Sequence, residues 1–165
     1  MRNNVKRSTA RLGVLALALG STVILTTTTA EAASACKNNS RTITLPGIEP
    51  DIDVDVKLCV YSEGNLHYAK AFVKWRGSAG HHGNRFDNFR VEVRLERNND
   101  MKTSSNSPYT TLINRTYSND INFNTPNYTS SLNGGWTADG LVQYDKNNDG
   151  EGGTTWSLTG SPAIN

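Results

Sequence analysis

A short acidic stretch near the end of the chain has the residue types and spacing of the first half of a calcium loop. It reads Asp145-Lys146-Asn147-Asn148-Asp149-Gly150. Oxygen ligands at alternating positions can converge on a hard cation while the glycine turns the chain sharply. The candidate ligands are therefore Asp145, Asn147, Asp149 and Glu151. Because the twelfth loop position is Trp156 instead of a bidentate Glu, the alternative is a hairpin turn built from residues that turns favour.

Two adjacent histidines, His81 and His82, lie in a glycine-rich stretch with Asp87 close by in the sequence. Adjacent side chains on an extended backbone point to opposite sides, so the pair is poorly placed to chelate one ion. We therefore treat His81 and His82 as candidate ligand-binding residues. A small hydrolase would need them to converge with Asp87 and a second carboxylate.

Three carboxylates, Asp51, Asp53 and Asp55, alternate along one predicted strand and point the same way. Successive members are about 6 to 7 Å apart, which is wide for a shared ion, so a solvated strand face is expected. The stretch 77–80 lacks the G-x-S-x-G spacing of a nucleophile elbow. Catalysis is therefore not predicted, although carboxylates that meet only in space are compatible with the sequence.

Aromatic residues offer a different chemistry, the stacking platform of a carbohydrate-binding module. Of the three tryptophans, Trp75 and Trp156 fit core positions of predicted strands. Trp136 follows Asn133-Gly134-Gly135 in a turn-like context, which predicts that it is exposed and contacts a ligand. Polar surface is also marked by Asn-x-Ser/Thr triplets, which begin at Asn38, Asn114 and Asn127.

The first 35 residues have the pattern of a secretory signal peptide. Four basic residues precede an apolar run over 12–25, and two A-x-A patterns follow, ending at Ala32 and Ala35. Cleavage after Ala32 or Ala35 would leave one secreted domain over 36–165. This domain is predicted to have no transmembrane anchor, because none of its apolar runs reaches the required length of about 20 residues.

Removal of the leader changes what the rest of the chain implies. The full chain has 17 Lys and Arg against 15 Asp and Glu, and the leader holds four of these cations and one of the anions. The net charge therefore changes from +2 to −1. Nucleic acid is not an expected partner, because no basic stripe remains. Cys36 and Cys59 remain in an oxidising compartment, which predicts a single disulfide between them.

The remaining sequence alternates between apolar and polar residues, which is typical of half-buried β-strands. The clearest runs are 51–61 and 89–97. Residues 66–75 are apolar on both parities and predict a central strand that is covered on both sides. Weaker alternation predicts short strands over 41–45, 110–117, 121–123, 128–132, 140–144 and 154–158.

Turn-forming residues separate these strands. Ser62-Glu63-Gly64-Asn65 is typical of a hairpin turn, and 77–84 of a longer glycine-rich loop. No convincing helical periodicity follows the leader. The predicted fold is all-β, an antiparallel β-sandwich that is Ig-like or jelly-roll-like.

Three stretches, 57–60, 89–98 and 144–162, stand out together with the leader that ends at Ala35. This combination resembles small secreted all-β proteins of actinobacteria that have no assigned function, and the resemblance covers nearly the whole chain. It implies export and a compact β domain. It supplies no catalytic or binding residue.

These features together predict a secreted, disulfide-stapled β domain. We expect it to bind a protein or carbohydrate partner at the cell surface or in the medium, without catalysis. The one cofactor for which the sequence offers ligands is calcium, at residues 145–151. The alternatives are a small secreted hydrolase and a structural protein of an envelope or matrix that associates with itself.

Overall fold

The computed structural model describes residues 32–77 and 83–165. The predicted signal peptide falls mainly on residues 1–31, which lie outside the described residues. In the two described segments, no helix is long and apolar enough to cross a membrane.

Strands dominate the described part of the chain. In chain order the elements are β1 (Ala33–Ile43), β2 (Ile52–Glu63), β3 (Leu66–Arg76), β4 (Phe86–Arg97), β5 (Asp100–Pro108), α1 (Thr110–Arg115), β6 (Ser118–Asn124), β7 (Tyr128–Thr129), β8 (Trp136–Lys146) and β9 (Thr154–Ser157).

The strands form two antiparallel sheets. Sheet A has the order β1-β2-β3-β6, and the short β7 pairs with the start of β3. Sheet B has the order β5-β4-β8-β9. Because β2 and β3 pack against β4 and β8, the two sheets form the layers of a sandwich. The prediction of an all-β antiparallel sandwich is confirmed.

The core lies between the two sheets, and its residues follow from the alternation seen in the sequence. Every second residue of β2 from Ile52 to Val60 is fully buried, and so is every second residue of β4 from Phe89 to Leu95. A slip of one residue would turn these apolar sets to solvent, so the alternation holds the register of both strands. Other large side chains that are almost fully buried are those of Trp75, Trp136, Phe86 and Ile113.

Strand β3 is central in sheet A, but the prediction that it is covered on both sides is wrong. Its inward residues, such as Ala71 and Val73, are fully buried. On the other parity, Lys70 and Phe72 are half-buried and lie on the solvent side of the sheet. The apolar residues of this second parity pack sideways against neighbouring side chains instead of under another layer.

Residues 110–115 form the helix α1, where the sequence predicts a strand. Their β-branched residues favour extended structure, but tertiary contacts override this preference. Ile113 enters the core. The Asn114 side chain accepts hydrogen bonds from the backbone N–H groups of Arg85 (3.1 Å) and Phe86 (3.0 Å), and it donates one to the Phe86 carbonyl (2.8 Å). These bonds hold the helix against the start of β4.

Strand β5 has no counterpart among the predicted strands. It forms because the chain turns back after β4 through Asn98 and Asn99, which have φ values of 52° and 64°. Two-residue hairpin loops require such positive φ values, which asparagine tolerates. The turn places Asp100 opposite Arg97. As an edge strand, β5 can be mostly polar, which is why the sequence shows no apolar period there.

The disulfide joins Cys36 and Cys59, as predicted. The two residues face each other in the register of β1 and β2, with their Cα atoms 4.1 Å apart. The bond therefore fastens the edge strand β1 to the rest of sheet A. Closing a loop of this length stabilises a fold by about 3 kcal/mol in the chain-entropy description.

One side chain also links the two sheets at this edge. Asn39 of β1 accepts a hydrogen bond from the backbone N–H of Thr159 (2.7 Å) and donates one to its carbonyl oxygen (3.1 Å). Thr159 follows β9, the edge strand of sheet B. The guanidinium of Arg41 lies 4.9 Å from the ring centre of Trp156 on the same edge. These contacts close the sandwich between β1 and β9.

Candidate binding surface

The solvent-facing side of sheet A, which we name the outer face, is built from side chains in register across four strands. Residues directly opposite each other in antiparallel strands point to the same side of the sheet. The outer face includes Asn38 and Ser40 of β1, Asp55, Lys57 and Tyr61 of β2, Tyr68, Lys70, Phe72 and Lys74 of β3, and Asp120 and Asn122 of β6.

Two tyrosines form one end of the outer face. The rings of Tyr61 and Tyr68 are stacked, with centroids 4.9 Å apart and planes 13° from parallel. The Tyr68 hydroxyl donates a hydrogen bond to Glu63 at 3.2 Å. Partial burial, with the hydrogen bond to Glu63, raises the pKa of Tyr68. The Tyr68 phenol therefore stays neutral at ordinary pH. The two tyrosines present aromatic surface together with hydroxyl groups.

The middle of the outer face holds two lysines against one aromatic ring. The Lys57 ammonium lies 4.5 Å from the centre of the Phe72 ring, and the Lys70 ammonium lies 4.9 Å from it. Among the described residues, neither ammonium lies in an ion pair. We name these residues the lysine pair of the outer face. The ring contacts both cations without the use of a carboxylate.

A shallow, open depression of about 420 Å³ lies beside this lysine pair. Its lining combines the ring of Phe72 and the amide of Asn38 with charged groups. At its far end the charges are satisfied: Lys74 lies 3.1 Å from Asp120, and the Ser40 hydroxyl donates a hydrogen bond to Asp55. Among the described residues that line the depression, Lys57 is the cation without an ion pair.

The solvent side of sheet B differs in its charge pairing. Arg94 of β4 lies 3.1 Å from Asp139 and 3.3 Å from Glu96. Partial burial, together with the nearby Asp139, raises the pKa of Glu96. The arginine thus has carboxylate partners within its own sheet, which the lysine pair lacks.

Trp136 is not exposed, and the prediction of an exposed tryptophan at this position is wrong. Its side chain is 1% exposed. The ring stacks on the buried His67 with centroids 4.0 Å apart, and its indole N–H donates to the Leu132 carbonyl at 3.0 Å. The glycine turn before Trp136 starts strand β8, which carries the residue into the core. Trp75 and Trp156 are buried as predicted.

The predicted histidine site falls outside the described residues, because His81 and His82 belong to the undescribed segment 78–82. Their sequence neighbour Asp87 is exposed. It lines an open depression of about 580 Å³ beside α1, together with polar residues such as Thr110 and Arg115.

The loop of the predicted calcium ligands connects β8 to β9. The Asp149 carboxylate accepts a hydrogen bond from the backbone N–H of Glu151 (2.9 Å) and lies 3.2 Å from the Lys146 ammonium. The hydrogen bond from Glu151 and the contact with Lys146 lower the pKa of Asp149. The hydrogen bond that the Lys146 ammonium donates to Asp149 raises the pKa of Lys146. The loop thus has the contacts of a hairpin turn, the alternative drawn from the sequence.

The three aspartates near β2 do not converge. Asp53 accepts a hydrogen bond from the Thr42 hydroxyl at 2.6 Å, and Asp55 accepts one from Ser40. Asp51 accepts a hydrogen bond from the Thr44 hydroxyl at 3.4 Å, just after the end of β1. Each carboxylate thus has its own hydroxyl partner. In the described part of the chain, no group of three or more His, Cys, Asp or Glu side chains is placed to hold a metal ion.

The lysine pair and Phe72 are the site residues that sequence reasoning missed. The signal that could have found them is the hairpin turn at 62–65, which fixes the register between β2 and β3. Lys57 lies six residues before Glu63 and Phe72 six residues after Leu66, and the structure pairs Glu63 with Leu66 and Lys57 with Phe72. Counting outward from the turn would have placed the lysine beside the ring.

Comparisons with other proteins add no family to this description. No protein-family model matches the chain, and a search of curated proteins finds no significant similarity.

Proposed function

We propose that this protein is a secreted, non-catalytic binding domain and that the outer face of sheet A contacts its partner. The observation that carries the proposal is the lysine pair, two cations beside the half-buried ring of Phe72 that have no ion-pair partner within residues 32–77 and 83–165. Aromatic rings and charges that a fold leaves open on one surface are typical of recognition sites. The stacked tyrosines extend this surface along the strands.

Export to the extracellular space is part of the proposal. It is supported by the charged, apolar and A-x-A segments of residues 1–35. The disulfide between Cys36 and Cys59 is compatible with an oxidising compartment. N-terminal sequencing of protein recovered from the medium tests this step. Recovery of full-length chain from the cytoplasm alone would contradict it.

The most direct test of the binding surface is NMR with isotope-labelled secreted protein. Soluble polysaccharides and envelope fragments are added in turn, and the shifted backbone amides are mapped onto the two sheets. We expect the shifts to cluster on β2 and β3. Shifts confined to sheet B, or none with any addition, would overturn the proposal.

A matched pair of variants sharpens this test. Phe72→Ser removes a half-buried apolar side chain from the outer face, and Leu141→Ser removes one from the solvent side of sheet B. We expect Phe72→Ser to abolish binding and Leu141→Ser to preserve it. Equal binding by both variants would show that the outer face is not the contact surface.

The two alternatives from the sequence make different predictions. A small hydrolase requires titratable groups that converge near the bond to be cleaved, so it predicts product release from a substrate panel. A structural protein predicts self-association, which light scattering of the purified protein measures. A monomer that binds a ligand without turnover supports the binding domain.

Calcium binding by the loop 145–151 is a separate prediction. The predicted ligands Asp145, Asn147, Asp149 and Glu151 supply the oxygen atoms, and Lys146 competes for the Asp149 carboxylate. A rise in melting temperature with about 1 mM calcium, which Asp149→Ala abolishes, would establish the site. No rise at that concentration would exclude a site of the strength common in extracellular modules.

A further inference from the structure

We infer that the outer face binds an anionic polysaccharide and that the lysine pair receives its carboxylate groups. This inference rests on the proposed function and adds the chemical class of the ligand. It depends on three properties of the outer face: unpaired charge, an ordered set of aromatic and amide groups beside that charge, and an extended arrangement along one strand.

The first property is the charge of the lysine pair. Both ammonium groups lie within 4.9 Å of one ring centre, so their mutual repulsion is only partly screened by salt. A bound anion would remove this repulsion. The contact with an aromatic ring uses no N–H donor, so each ammonium keeps its donors for a carboxylate. Lys74, by contrast, is already paired with Asp120.

The second property is the set of neutral groups next to the lysine pair. Asn38 and Asn122 lie in the same cross-strand row as Lys57 and Phe72, and both are exposed. An amide can donate and accept hydrogen bonds at once, which suits the hydroxyl groups of a sugar. The tyrosines at the end of the outer face offer apolar ring surface and hydroxyl groups to further sugar units.

The third property is the length of the surface. Tyr68, Lys70, Phe72 and Lys74 alternate on the outward side of β3 and span about 20 Å. A small anion would contact one part of this row, whereas a polymer chain can contact all of it. The row therefore favours a repeating ligand that carries both carboxylate and hydroxyl groups.

The net charge of the secreted domain means that attraction to a polyanion must come from a local group of cations. With a net charge of −1 for residues 36–165, the molecule as a whole does not attract polyanions. Binding of an anionic polymer would have to come from a local group of cations. Removing the lysine pair should then have an effect that removing other lysines does not.

The test compares polygalacturonate with the same polymer after full methyl esterification, by titration calorimetry on the secreted protein. We expect the free carboxylate form to bind and the ester to bind at least about tenfold more weakly, since charge-assisted contacts are lost. Raising the salt concentration should weaken binding of the free form only. A single-stranded oligonucleotide is the third probe, and tighter binding of this probe would overturn the inference.

Variants provide the matched control. The double variant Lys57→Gln/Lys70→Gln should lose about tenfold or more in affinity for polygalacturonate. Lys37→Gln/Lys102→Gln changes the net charge equally but leaves the outer face intact, and it should bind as the wild type does. Similar losses in both variants would contradict the role of the lysine pair. Thermal melts of both variants establish that they are folded.

The two levels of the proposal can fail separately. If the ester binds as tightly as the free form and Phe72→Ser abolishes both, the outer face is a binding surface but does not select anions. If polygalacturonate does not bind, the inference is overturned, and NMR mapping with other ligands still decides the proposed function.

Discussion

Asn114 shows how one polar side chain can determine local structure. Its amide makes three hydrogen bonds to the backbone of Arg85 and Phe86, and one of them is donated by Nδ2, the atom to which a glycan would attach. The triplet that begins at Asn114 therefore differs from those at Asn38 and Asn127, whose side chains are exposed. Only the last two triplets offer an accessible amide.

The first prediction concerns this residue. Asn114→Ala should lower the free energy of unfolding by about 2 to 3 kcal/mol, because the backbone N–H and carbonyl of Phe86 lose their hydrogen bonds to the side chain. The Arg85 N–H also loses one bond but keeps the bond to the Gly83 carbonyl. Urea denaturation followed by circular dichroism measures the change. Asn127→Ala, at an exposed position between β6 and β7, is the control and should change stability by less than about 0.5 kcal/mol. Equal effects of the two substitutions would show that α1 does not depend on these bonds.

The second prediction concerns the Lys146–Asp149 contact and pH. The lowered pKa of Asp149 means that its contribution is complete above its unfolded pKa of about 3.9 and is lost as pH falls through the lower folded value. The raised pKa of Lys146 means that its contribution is complete below about 10.4 and is lost as pH rises through the higher folded value. The contribution of this contact to the urea midpoint should therefore be constant between these limits and fall on both sides.

Asp149→Asn is the matched variant for this pH profile. It removes the negative charge but can keep the hydrogen bond from Glu151. We expect its urea midpoint to depend less on pH than that of the wild type at both ends of the range. A profile identical to the wild type would mean that the contact contributes nothing to folding.

Trp136 illustrates a limit of sequence reasoning at the level of single residues. The preceding glycines correctly predict a turn, but a turn does not determine which side of the next strand its first residue occupies. That depends on the register of β8 against β4, where Trp136 pairs with Arg97. This pairing is formed by residues far apart in the sequence, so local pattern alone cannot supply it.

One of the two predicted cleavage sites, the one after Ala35, lies inside strand β1, which begins at Ala33. Ala33, Ser34 and Ala35 pair with Ser62, Tyr61 and Val60. Ala33 and Ala35 also pack, partly buried, against the core. Cleavage after Ala35 would remove these pairs, whereas cleavage after Ala32 would keep the whole strand.

The third prediction follows from these pairs. A chain that starts at Cys36 should be less stable than one that starts at Ala33 by about 1 to 2 kcal/mol, because cross-strand hydrogen bonds and buried apolar area are lost. Urea denaturation of the two forms measures the difference. We also expect N-terminal sequencing of the exported protein to begin at Ala33. Equal stability of the two forms would remove the structural reason for preferring cleavage after Ala32.

The elements differ in how far the sequence predicts them, and the reason is burial. β2 and β4 each have one buried and one solvent-facing side, so apolar and polar residues alternate along them. Both strands are therefore predicted with nearly correct ends. β5 is an edge strand that contributes little to the core, and α1 depends on the side chain of Asn114. Such elements are determined by tertiary contacts and leave no local period.

At the scale of the whole molecule, the disulfide is a covalent cross-link that joins β1 to β2 in addition to the backbone between them. The fourth prediction is that reduction of the disulfide lowers the free energy of unfolding by about 3 kcal/mol. The bond joins residues that are 23 positions apart, and without it the unfolded chain has more conformational entropy. Urea denaturation with and without a thiol reductant measures this. The variant Cys36→Ser/Cys59→Ser is the control and should not respond to the reductant. An unchanged wild-type midpoint would contradict the stabilising role of the bond.

The inward position of all three tryptophans has a consequence for spectroscopy. Trp75, Trp136 and Trp156 are at most 8% exposed and lie between the sheets or at their closed edge. Intrinsic fluorescence should therefore report unfolding with a strong change in emission wavelength. A ligand on the outer face touches none of these indoles and should leave the emission spectrum unchanged. Fluorescence and calorimetry together thus separate loss of fold from loss of binding in every variant described above.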